Sequence, residues 1–135
     1  MRRVAPVLLL CLATAGCGGG GSALERDGVR TFVGPATNAG DDARIAGELV
    51  VTDGRCLAVG RADGLTYVLV WPAGTTMVEG GVEVPGAGRI LVGDRFAAGG
   101  GYGEPDAPGV PKDCRAGADP DEIAVIQQAD TVRRQ

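Results

Sequence analysis

The chain predicts an all-β domain: a small closed or partly closed barrel of six or seven short strands. Three observations point there. Short valine- and leucine-rich runs recur between residues 45 and 126. Turn pairs separate them at close spacing, among them Asp53-Gly54, Asp63-Gly64, Ala73-Gly74, Gly80-Gly81 and Gly93-Asp94. The chain also holds 24 glycines, a composition that favours turns between short strands over long helices. Short strands leave unpaired edges unless the sheet closes, which favours a barrel over a sandwich.

Residues 45–51 form the first candidate strand, with Leu49 and Val51 on one face. Asp53-Gly54 is a hairpin signal that tolerates positive φ. Residues 55–59 follow, with Leu57 and Val59 facing one way and Cys56 the other. Residues 66–71, Thr-Tyr-Val-Leu-Val-Trp, are apolar on both faces and therefore central, or part of a closed wall. Pro72 ends that strand because it has no N–H to donate to a ladder. Residues 76–78 and 82–84 flank Gly80-Gly81 as a short hairpin, and residues 89–92 and 95–98 continue the pattern. A Gly-, Pro- and Asp-rich loop is expected from residue 99 to about residue 120. Residues 123–126 carry two signals. Asp119-Pro120-Asp121-Glu122 looks like a helix start, but Ile-Ala-Val-Ile is short and β-branched and favours a closing strand.

Ahead of this domain stands an export signal. Arg2 and Arg3 are its positive end, residues 4–15 are almost wholly apolar, and Thr14-Ala15-Gly16 leads to Cys17. A run of twelve residues, interrupted by Pro6 and Thr14, is too short for a spanning helix, which needs about 20, and the layout is that of a secretory signal. Cysteine directly after Ala-Gly resembles a lipobox, in which the thiol receives a diacylglycerol and the signal is removed. Thr14 stands where lipoboxes usually carry Leu, Val or Ile. An ordinary cleaved signal with Cys17 incidental is the weaker reading, and a twin-arginine signal weaker still. The expected organisation is therefore a lipoprotein signal over residues 1–16, Cys17 and a flexible Gly-rich linker over 17–43, the barrel over 44–127 and a tail over 128–135. Two acyl chains would hold the mature protein on the outer leaflet of the cell membrane.

Of four cysteines, Cys11 leaves with the signal and Cys17 takes the lipid. Cys56 and Cys114 remain, an even pair in an exported domain, where such pairs oxidise. A redox-active pair is the poorer reading, because the Cys-x-x-Cys spacing of catalytic pairs is missing.

Composition narrows the chemistry. Histidine is absent, which removes the usual general base and the usual partner of a Ser or Cys nucleophile. Removing residues 1–16 leaves 11 basic residues (13 minus Arg2 and Arg3) against 17 acidic ones, a net charge of −6. No nucleic acid is expected to bind such a chain, since phosphate neutralisation dominates that affinity. Neither a metal nor a cofactor is expected. Asp119, Asp121 and Glu122 are oxygen donors, but the calcium-loop pattern is missing and they read as a solvated acidic turn. Gly99 to Gly103 read as a hairpin or bulge rather than an anion nest. Trp71 and Tyr102 are the two candidates for ligand contact, set against the alternative that Trp71 plugs the core.

The stretch from Gly47 to Ile126 resembles an uncharacterised β-domain of exported lipoproteins from high-GC Gram-positive bacteria. The likeness rests on Gly47-x-Leu49, Cys56-Leu57, Leu69-Val70-Trp71-Pro72-x-Gly74, Val92-Gly93-Asp94, the Gly99 run, and Cys114 before a terminal strand. It implies a barrel like the oligonucleotide-binding barrel in outline and a Cys56–Cys114 link, and it implies no activity. The functional expectation is a non-enzymatic binding module whose partner is an envelope protein or cell-wall component. The alternatives are a small-molecule carrier using the barrel mouth and an Asp/Glu-dependent hydrolase.

Overall fold

The computed structural model describes residues 21–35, 43–106 and 108–135. Five strands close into a barrel: β3 (Ala43–Val51), β4 (Leu57–Gly60), β5 (Thr66–Trp71), β9 (Arg95–Gly103) and β10 (Ile123–Ile126). Their order round the wall is β3-β4-β5-β10-β9, and β9 pairs back onto β3 from Ala43↔Gly100 to Glu48↔Arg95. All these pairings are antiparallel except β5–β10, where Ala124 sits opposite Leu69. Residues 123–126, which carried both helix and strand signals, are a strand.

Alternation fills the interior. Ile45 and Leu49, Leu57 and Val59, Leu69 and Trp71, Phe96, and Ala124 and Ile126 are all buried in one cluster. Strand β5 is buried on both faces, as its sequence predicts. Its outward Val68 and Val70 lie in a second cluster with Phe32, Cys56, Val110, Cys114 and Ile123. The connection between β9 and β10 thus packs outside the wall.

Two strands precede the barrel where a flexible linker was expected. β1 (Ser22–Arg26) and β2 (Val29–Val33) form a hairpin about Asp27-Gly28. β2 then enters the wall. β4 pairs with β5 only at Thr66–Val68, and beyond that point β2 takes the vacated edge in parallel, Phe32↔Val70 and Val33↔Trp71. Arg30 also bridges Cys56. Burial of Phe32 and Val33, one in each cluster, holds the hairpin there. The folded unit therefore begins within the expected linker.

The end of the barrel at Trp71 is capped by a three-stranded sheet, β6 (Thr76–Val78), β7 (Gly81–Val84) and β8 (Gly88–Leu91). Val82, Val84 and Ile90 extend the interior cluster. The tail expected over residues 128–135 is docked: Val132 is fully buried, and β11 (Arg133–Arg134) pairs with Phe96 and Ala97.

Two glycine-bearing segments depart from expectation for steric reasons. The run from Gly99 is strand, not loop. A Cβ on Gly100 would stand 2.0 Å from the Val125 carbonyl oxygen, so a side chain there would push β10 away. In the turn from β3 to β4, the left-handed residue is Arg55, at φ 65°, rather than Gly54. Gly54 serves a different need, since a Cβ there would meet the Asp113 carbonyl oxygen at 1.8 Å.

Candidate functional site

The end of the barrel away from the capping sheet presents three convergent side chains. Tyr67 is the first inward residue of β5 and Tyr102 lies near the end of β9. Their rings meet edge to face, centroids 4.8 Å apart at 60°. Arg61, just past β4, lies over both, its guanidinium carbon 5.7 Å and 5.6 Å from the ring centres. Arg61 donates to the Tyr102 hydroxyl at 3.4 Å and pairs with Asp63 at 2.8 Å. A guanidinium over two π-faces is an attractive arrangement.

Arg61 and Tyr67 hold their protons. The Tyr102 ring and hydroxyl, then Asp63, keep Arg61 charged beyond its ordinary range. Burial pushes the Tyr67 phenol up, partly opposed by Arg61. Neither is poised for proton transfer near neutrality. The mouth is suited to contact: a cation and aromatic edges on a fixed frame.

Trp71 does not join Tyr102. It is fully buried beside Phe96, centroids 5.6 Å apart, at the capped end, and its indole N–H has no acceptor among the described residues. The two candidates for ligand contact thus belong to different neighbourhoods, Trp71 filling the core and Tyr102 lying at the mouth. Arg61 and Tyr67 were missed in the sequence. The signal was present for Tyr67, which shares parity with Leu69 and Trp71 and so faces inward; Arg61 left no local trace.

Compared with known family models, curated proteins and solved structures, the chain matches none.

Cys56 and Cys114 are joined in a disulfide, Cα atoms 5.3 Å apart, and both are fully buried. Thr52 holds the pair from one side. Its hydroxyl donates to the Cys114 carbonyl at 2.8 Å and accepts the Cys56 N–H at 3.1 Å. A buried sulfur pair stapling the loop to the barrel's outer face is structural in character. Cys17 lies outside the described residues. Asp119 spends its carboxylate on the chain, accepting the N–H groups of Asp121 and Glu122 at 2.9 Å each. This is the capping geometry that its sequence suggested, leading into a strand instead of a helix. Among the described residues no three Cys, Asp or Glu side chains gather as metal ligands, and no helix is long and apolar enough to cross a membrane.

Proposed function

We propose that this protein is a lipid-anchored, extracytoplasmic binding module of the cell envelope, without catalytic activity of its own. The Cys56–Cys114 disulfide carries the reading, because a buried bridge of this kind persists in oxidising compartments. An export signal ending at Cys17 supplies the matching route and anchor. The likeness of residues 47–126 to exported lipoprotein β-domains belongs to the same proposal.

Binding is favoured over chemistry by the state of the mouth, where Arg61, Tyr67 and Tyr102 are engaged with one another and Arg61 and Tyr67 keep their protons. Surface contact is favoured over carriage inside the barrel, because Leu49, Leu69, Trp71 and Phe96 occupy the interior. The outer face of β5, part of the region that oligonucleotide-binding barrels present to their ligand, is covered by Phe32 and Val110. That covering, with the acidic charge, supports a protein or cell-wall partner over a nucleic acid.

The test is fractionation of cells producing the full-length chain and its Cys17→Ala variant. The native chain is expected in the membrane fraction with a diacylglycerol mass at Cys17, and the variant as released protein or uncut precursor. Unchanged anchoring of the variant refutes the lipid reading. Crosslinking from intact envelopes, with Tyr102→Ala as the control that loses the partner, tests the mouth.

A further inference from the structure

Arg55 stands in a conformation that the fold does not need an arginine to adopt. Among the described residues it and Asp27 are the two non-glycine residues with positive φ, 65° and 52°. Asp27 is explained by its Asp-Gly hairpin turn, where aspartate tolerates the left-handed region. Arg55 has no such excuse. Its backbone N–H bonds to the Thr52 carbonyl and its carbonyl accepts the Arg30 N–H, both at 2.9 Å, and a glycine would make both bonds without the clash of a Cβ. Its exposed side chain has no hydrogen bond or ion pair among the described residues. The strained position therefore presents a guanidinium that the fold itself leaves without a partner among the described residues.

Arg55 borders a cleft of about 210 Å³ between the β1–β2 turn and the β6–β7 hairpin. The walls are Val29, Leu57, Met77, Val78 and Val92, with Arg26, Asp27 and Arg55 among the polar residues around them. Leu57 is buried, whereas Val92 is 47% exposed, so apolar surface reaches from the wall of the barrel to solvent. Arg26 lies 3.7 Å from the Asp27 carboxylate, which offsets its charge. Arg55 is left as the uncompensated cation.

We propose that this cleft binds a small amphipathic carboxylate, its short apolar tail against Leu57 and Met77 and its carboxylate held in the fork of Arg55. The space matches the size. At about 30 Å³ per water the cleft has room for roughly seven waters, about the bulk of a six-carbon acid. The inference deepens the binding reading by naming a ligand class, but it rests on the cleft alone and does not depend on the membrane anchor.

The probe is hexanoate, titrated into the full-length protein in zwitterionic detergent micelles. Amide shifts of residues 54–57 and 77–81 are followed, with hexan-1-ol and hexylamine as controls. Hexanoate is expected to saturate these shifts with a Kd of about 1 mM, as ligands of this size allow. The alcohol should bind at least tenfold more weakly and the amine should not bind. Arg55→Gly should lose at least tenfold in affinity while its melting temperature holds or rises, because the backbone strain is relieved. Arg55→Lys, which keeps the charge and the strain but loses the fork, should fall between. Absence of saturation, equal binding of the alcohol, unchanged affinity in Arg55→Gly, or a melting temperature several degrees lower in that variant each overturns the proposal. Failure of the Cys17→Ala test would leave this result standing, so the two readings fail separately.

Discussion

Replacing Phe32 with alanine tests whether the N-terminal hairpin belongs to the folded unit. Phe32 is 4% exposed and packs in the outer cluster with Val70, the disulfide and Ile123, while its backbone stands opposite Val70 on β5. Removing the ring forfeits a transfer term of about 2–3 kcal/mol. It also leaves a cavity that the rigid disulfide loop closes only in part, which brings the expected loss to about 3–5 kcal/mol. The described chain holds 107 residues (15 + 64 + 28). At about 2.1 cal/mol/K per residue its unfolding entropy is about 0.2 kcal/mol/K, so the melting temperature should fall by about 13–22 °C. Thermal unfolding followed by circular dichroism, with a single transition for both proteins, measures it. A fall under about 4 °C would refute the reasoning and return residues 22–33 to the role of a tether.

The other expectations concern the same outer face. Gly54→Ala should destabilise by about 1–3 kcal/mol through the clash with the Asp113 carbonyl. Gly103→Ala, with nothing within 4 Å of the added carbon, should be neutral or slightly stabilising, and equal denaturation midpoints for the two would count against the steric account. Cys56→Ser and Cys114→Ser should lower stability alike, by about 4 kcal/mol for a bridge spanning 58 residues, with urea titration showing whether the losses match. The Arg30 guanidinium, by donating to the Asp113 carboxylate, holds that group below the ordinary aspartate range. Its folded pKa lies under its unfolded one, so the stability it adds is present above the ordinary aspartate pKa and fades as pH falls through the lowered value. The contribution is small because Asp113 is well exposed. Asp113→Asn should flatten that part of the acid melting curve, and an unchanged curve would show that the pair does not couple hairpin to loop.

Much of the barrel was legible because the forces that make it are local in sequence. The doubly apolar run of β5, the stop at Pro72, the hairpin about Gly80 and the pairing of the two remaining cysteines each follow from residue type and spacing. What was missed depends on partners far along the chain. β1 is largely exposed and reads as polar coil; its fold is decided by Phe32 and Val33, whose sites on β5 lie 38 residues later. The Asp27-Gly28 pair was a local sign of a hairpin there. The Gly99 run was read as loop because glycine usually marks turns, yet here the missing side chains let β3 and β10 close on β9. The mouth was half legible: aromatic residues mark interest by type, but only the closed wall brings Arg61 from one strand end over Tyr67 and Tyr102 from two others.

The hairpin also shortens the leash. With Ser22 already in β1, only residues 18–21 lie between Cys17 and that strand. Five Cα steps at roughly 3.6 Å give a reach of about 18 Å. A lipid at Cys17 would then leave the barrel riding close above the head groups, steered by its own first strand instead of swinging on a long cord. Whatever it meets there would have to approach along the bilayer or from the side turned outward.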